Sequence, residues 1–163
     1  DFIRLATLTM PTTPALPQPE IEHLYAAGWA ALQAEMLSEA EEAFLGVLAS
    51  DPWHADALNG LGTVYFHEKR LDEAEAMYAS GKKSVLKFFK DKMPDHVDWA
   101  APHDRTLIRS LHGLALVEYR RGKTATAEKM FEEIVRLNPK DNTGARFLAM
   151  DIRKGKKTWD QKS

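Results

Sequence analysis

Apolar and polar positions along this chain follow a helical period, in blocks that end at polar or proline-bearing breaks. Leu24, Ala27, Gly28 and Ala31 fall at i, i+3, i+4 and i+7, one face of a helix for which Pro19 and Glu20 suit the first turn. The run breaks near Met36 and Leu37. Ser38 followed by Glu41 has the spacing of a capping box, which predicts a second helix from there. Its stripe is Ala40, Phe44, Val47 and Leu48, and Asp51-Pro52 stops it.

The block then repeats. Leu24, Gly28, Ala40 and Phe44 return 34 positions later as Leu58, Gly62, Ala74 and Tyr78. They return again as Leu111, Ala115, Ala127 and Phe131, now 53 positions on, one period plus an insertion of 19. In the second unit Leu58, Leu61, Gly62 and Tyr65 form the first stripe. Asp72 and Glu75 fit the start of the next helix, which buries Ala74, Tyr78 and Val85. In the third, Leu111, Leu114 and Ala115 precede a turn at Gly122, and Ala127, Phe131 and Ile134 precede the stop at Asn138-Pro139. A glycine inside a helix costs about 1 kcal/mol against alanine, so close backbone packing is the natural compensation. Phe44 and Tyr78 then fill the gap between successive pairs. The segment 142–154, with Ala145, Phe147, Leu148 and Ile152, reads as a capping helix over the last pair. Such a period predicts stacked helical hairpins, an all-α chain.

The pattern resembles the tetratricopeptide repeat (TPR) family over residues 21–150. Leu58-x-x-Leu61-Gly62-x-x-Tyr65, then Ala74 and Tyr78, follow its signature closely. Unit one departs with Ala27 and Ala31 where larger residues are usual, and unit three with Glu118 and Thr124. The resemblance implies a right-handed superhelix of antiparallel helix pairs, three pairs plus a capping helix, with the first helices lining a concave surface. It implies a non-catalytic adaptor or scaffold that binds a peptide or protein segment on that surface. Aligning the units puts Tyr25, Trp29 and Leu32 there from unit one and Asn59, Thr63, Phe66 and His67 from unit two. Unit three supplies Arg109, His112, Leu116, Tyr119 and Arg120, and the cap supplies Arg146. The surface thus grades from aromatic to cationic, which suits an extended partner with an apolar anchor and an acidic group. Some family members clamp the C-terminal carboxylate of chaperones with lysines and asparagines. Tyr25, Trp29 and Gly60 hold three of those positions here, so that clamp is not expected.

The boundaries follow. Residues 1–19 form an extended Pro/Thr-rich arm, 20–154 the repeat domain with an insertion at about 86–104, and 155–163 a basic tail. Met10-Pro11 reads as a native start that sets residues 1–9 apart. The helix before the insertion is expected to continue to about Met93, carrying Lys82, Lys83, Lys87, Lys90 and Lys92. These lysines read either as a basic face for an anionic partner or as a solvated surface, the plainer reading. In the tail, Arg153, Lys154, Lys156, Lys157 and Lys162 with Trp159 read either as a contact for RNA or an acidic partner or, the plainer reading, as a solvated terminus.

Composition narrows the chemistry. A formal charge of -2 argues against a protein built around nucleic acid, and the absence of cysteine excludes disulfides, thiolate metal sites and cysteine nucleophiles. No apolar run is long enough to span a bilayer, and no signal peptide is evident, so no membrane partner is expected and a cytoplasmic address is the default. No phosphate loop, nucleophile elbow or HExxH motif occurs. Glu41/Glu42 and Glu132/Glu133 read as solvated helix faces, so neither catalysis nor a cofactor is expected. Two other readings stay open. One is a self-assembling module that forms homo-oligomers. The weaker is a metal-dependent enzyme at the loop bearing His96, Asp98 and His103, with Asp104 and Thr106 also available as N-caps.

Overall fold

The computed structural model describes residues 15–156. Within them the chain is all-α, with seven α-helices. The first pair is α1 (Gln18–Gln33) and α2 (Leu37–Ser50), and the second is α3 (Ala55–His67) and α4 (Leu71–Leu86). The third is α5 (Pro102–Arg120) and α6 (Thr124–Leu137), and α7 (Ala145–Arg153) follows. The proposed start at Met10, most of the N-terminal arm, and Lys157, Trp159 and Lys162 of the tail lie outside the described residues.

One backbone device joins the helices of each pair. Glu35, Lys69 and Gly122 have positive φ, at 59°, 62° and 81°, and stand at equivalent repeat positions. The next amide in each case reaches back to a carbonyl five residues earlier: Met36 to Ala31, Arg70 to Tyr65 and Lys123 to Glu118, at 2.9–3.0 Å. This is the Schellman closure, in which a left-handed residue lets the last carbonyls find donors. It replaces the expected capping boxes. The N-caps of α2 and α4 are Met36 and Arg70, and neither helix receives a side-chain cap from Ser38 or Asp72. Nor do Asp104 and Thr106 cap α5, whose N-cap is Ala101. The Thr106 hydroxyl bonds to Asp56 of α3 and to the Pro102 carbonyl instead.

Successive pairs are held by rings set between glycines. A Cβ on Gly28 of α1 would stand 2.7 Å from the Phe44 ring, and one on Gly60 of α3 would stand 2.5 Å from it. Tyr78 is gripped in the same way, with a Cβ on Gly62 of α3 at 2.9 Å and on Gly113 of α5 at 2.3 Å. Real Cβ atoms do not approach this closely, so each ring from a second helix lies in a slot between two consecutive first helices. Phe44 is fully buried. Tyr78 is nearly so, and its hydroxyl lies 2.8 Å from Thr63 Oγ1. Burial raises its pKa to about 12, outweighing the lowering effect of that hydrogen bond. Two apolar clusters result. One joins the first two pairs with Val117 of α5, and the other joins the third pair, α7 and Val97 of the insertion with Val85 of α4.

The insertion is not the expected helical extension. Helix α4 ends at Leu86, a 3-10 turn covers Lys87–Phe89, and Lys90 and Asp91 turn left-handed at φ 55° and 59°. The Asp91 amide bonds to the Leu86 carbonyl at 2.9 Å, closing the helix well before Met93. The lysines therefore lie on a helix, a turn and a loop instead of one continuous face. The strand of loop returns to the core at Val97, which is 2 % exposed and donates its amide to the Leu137 carbonyl at the end of α6. His103 and Asp104, assigned to the insertion from sequence, belong to the first turn of α5.

The glycine slots reverse the ordinary helix preference. An exposed helical Gly→Ala gains about 1 kcal/mol, whereas Gly113→Ala should lose about 1–3 kcal/mol by overpacking. Chemical denaturation measures this, and the same change in a Tyr78→Ala background should cost far less.

Candidate functional site

The first helices of the three pairs, α1, α3 and α5, enclose a cavity of about 260 Å³. Trp29 enters from α1, and Asn59, Thr63, Phe66 and His67 from α3. Helix α5 adds Arg109, His112, Gly113 and Leu116. Tyr78 reaches in from α4, and Thr143 comes from the loop before α7. A second hollow of about 310 Å³ shares Trp29 and Arg109 and adds Tyr25 and Gln33. No residue of the insertion lines either space.

The sequence-predicted residues divide into three kinds. Trp29, Arg109, His112 and Leu116 present surface to the cavity, and Tyr25 to the adjoining hollow. The Trp29 ring also packs edge-on against Phe44 at 5.6 Å and against Tyr25 at 6.4 Å, so it belongs partly to the core. Burial first, then Asp56, raise the Tyr25 pKa, against smaller opposing effects of Arg109 and Trp29. Arg109 sits 3.9 Å from Asp56 and 5.7 Å over the Trp99 ring, and its side chain keeps 40% of its exposure.

Asn59, Thr63 and Phe66 line the space but are already committed. Asn59 is 2% exposed, with its amide donating to the Thr106 carbonyl at 3.3 Å and its oxygen accepting from Ser110 at 2.8 Å. It ties α3 to α5 while still lining the cavity. Thr63 Oγ1 is held by the Asn59 carbonyl and Tyr78. Phe66 is 3% exposed beneath Arg120, whose guanidinium lies 4.8 Å from the ring and donates to the Phe66 carbonyl at 2.6 Å. Phe66 is a wall and not an anchor. Arg146 is not brought to the cavity: it is exposed on α7 and donates to the Pro139 carbonyl at 3.2 Å. Tyr119 is buried, with its hydroxyl on the Lys156 carbonyl.

Sequence reasoning missed Thr143, Gly113 and the Tyr78 ring as parts of this site. Gly113 could have been found, since it stands in the repeat frame of Gly60. Thr143 lies in an irregular loop that no period reaches.

Three buried side-chain polar atoms among the described residues have no hydrogen-bond partner in the protein: Trp29 Nε1, His112 Nε2 and Thr143 Oγ1. All three residues line the same cavity. The indole N–H lies toward the Tyr25 hydroxyl, near enough to lower its pKa, without reaching hydrogen-bond geometry. Burial lowers the His112 pKa to about 4, against a smaller opposing effect of Asp141. Its ring packs edge-on to Phe131 at 5.6 Å.

The loop proposed as a metal site does not gather its ligands. His103 stacks on Phe88 at 3.5 Å, and the Asp98 carboxylate accepts from the Ala100 amide. Among the described residues no group of three or more His, Asp or Glu could hold a metal ion. No helix there is long and apolar enough to cross a membrane.

Comparison with known proteins agrees with this fold. Family models described as tetratricopeptide repeat match residues 25–83 and 107–138. No curated protein sequence matches the chain. A solved structure described as the first TPR of Spaghetti (RPAP3) bound to the HSP90 peptide SRMEEVD is similar, with a TM-score of 0.63 at 16% identity. The match covers 85% of this chain and 94% of that one.

His112 carries a pH signature. Its folded pKa lies below the ordinary 6.5, so the unfolded chain binds the proton more readily. The stability it contributes is complete above about pH 6.5 and is lost as pH falls toward 4. Between pH 7 and pH 5 the loss should reach about 2 kcal/mol. Urea denaturation at the two values measures it, and His112→Gln should show a correspondingly smaller difference.

Proposed function

Because this chain belongs to the tetratricopeptide repeat family, we propose that it is a non-catalytic interaction module holding a peptide or protein segment along the hollow of α1, α3 and α5. The observation that carries this reading is the cavity between consecutive first helices, walled by aromatic rings and rimmed by Arg109. Aromatic and arginine side chains supply most of the energy at protein interfaces. Arg109 shares its charge with Asp56 at 3.9 Å, a loose pair that a partner carboxylate at the rim could displace. The related structure holds a peptide, which supports a segment as the ligand class. The residues Tyr25, Trp29 and Gly60 stand against a copy of that peptide's clamp, so another sequence is expected.

Phage display of random peptides against the purified protein tests the reading. Selected peptides should perturb the fluorescence of Trp29, assigned with Trp29→Phe, which keeps a ring against Phe44. Arg109→Ala should weaken them by about tenfold or more, as expected for an interface anchor. Arg146→Ala, away from the cavity, should leave them unchanged. Peptides insensitive to Arg109 and silent at Trp29 would place the interaction face elsewhere.

A further inference from the structure

Helix α5 contributes to hollows on two sides of the molecule. Arg109, His112, Gly113 and Leu116 line the cavity already described, whereas Leu111 and Leu114 open onto the side of the second helices. There two hollows of about 330 and 710 Å³ share Lys82. Leu111 belongs to the first and Leu114 to the second, three positions apart and so on one face of α5. Leu86 of α4, Met130 and Ile134 of α6, and Met93 of the loop extend this apolar floor.

The rim is cationic. Lys82, Lys83 and Lys87 come from α4 and its closing turn, and Lys129 comes from α6. Among the described residues the lysines in ion pairs are Lys123 and Lys156, so these four ammonium groups have no carboxylate partner. Two carboxylates line the hollows, and Glu133 is taken by Arg136, which leaves Asp91. Lys90 and Lys92, of the same run in sequence, line neither hollow. We propose that this is a second docking face, which takes an acidic segment of a partner protein with aliphatic side chains spaced along one helical stripe. Its apolar residues cover Leu111 and Leu114, and its carboxylates meet the lysines. An apolar centre inside a charged rim is the usual build of a protein interface, and the rim charge selects the partner.

Other occupants fit less well. A membrane requires apolar side chains that protrude into lipid, but Leu86, Leu111 and Leu114 are half-buried while Lys83, Lys87 and Lys129 are exposed. Single-stranded nucleic acid stacks its bases on aromatic rings, and this lining is aliphatic. The Trp53 ring beside it already has the Lys87 ammonium 5.1 Å above it. The inference does not depend on the groove of α1, α3 and α5.

Phage-displayed peptides with leucine or methionine at helically spaced anchors, and glutamate, lysine or serine between them, test it by selection against the full chain. Recovered peptides should be rich in glutamate, weaken as salt rises, and shift the Met93 and Met130 methyl signals. Lys82→Glu with Lys129→Glu should weaken them by about tenfold or more, whereas Lys82→Arg with Lys129→Arg should keep most of the affinity. Lys90→Glu with Lys92→Glu changes the net charge equally but should cost less than about threefold. Equal loss in the two charge-reversed pairs would overturn the proposal, since overall charge would then explain the binding. Selection without glutamate enrichment would overturn it too, as would acidic peptides that depend only on Arg109 and so belong to the other groove. Anionic vesicles or single-stranded RNA held through Lys82 and Lys129, with no acidic peptide bound, would also overturn it.

Discussion

Two rings seated between glycines set the spacing of this array. Phe44 lies between Gly28 and Gly60, and Tyr78 between Gly62 and Gly113, so each ring fixes how far apart two consecutive first helices stand. Interiors pack as densely as organic crystals, and a slot of this kind has little freedom to relax. The same spacing determines the width of the hollow between α1, α3 and α5, where the cavity lies. Tyr78 takes part twice, as the wedge of the second slot and as a lining of the cavity.

Polar bonds reinforce the arrangement from within and from outside. Asn59, Thr106 and Ser110 join α3 to α5 in the interior. At the outer end, Arg121 meets Asp72, Glu75 and Glu118, connecting the close of α5 to the start of α4. Surface ion pairs are individually weak, so this network orients the ends of helices more than it stabilises them. Arg120 and Arg146, placed on the concave surface by repeat alignment, both bond backbone carbonyls.

The repeat was legible because a period of 34 repeats a packing problem, and the residues solving it must recur. Gly28, Gly62, Phe44 and Tyr78 were read correctly as close-approach and gap-filling positions. The links between paired helices were not legible in the same way. Ser38 and Asp72 have capping-box spacing, but the chain reverses through Glu35 and Lys69, whose left-handed backbone no side-chain type announces. The lysine-rich run kept a helical pattern past the point where Lys90 and Asp91 turn it. Repeat alignment named residues of α1, α3 and α5 that line the cavity, but not the depth of each side chain, and neighbours largely cover Asn59 and Phe66. Thr143 lay beyond the reach of any periodic argument.

The loop that leaves α4 and docks Val97 on the last carbonyl of α6 has a mechanical meaning. It straps the second and third pairs together along their outer edge, with Arg136 also reaching the Asp95 carbonyl. Among the described residues the first and second pairs are joined by a short link through Asp51 and Pro52, with the Tyr65 hydroxyl also donating to Glu41. The second and third pairs are therefore secured twice, by the Tyr78 slot and by the loop, and the first hairpin chiefly by the Phe44 slot. Trp29 stands on that hairpin and His112 on the strapped remainder, so the cavity spans two parts of the array that are unequally secured.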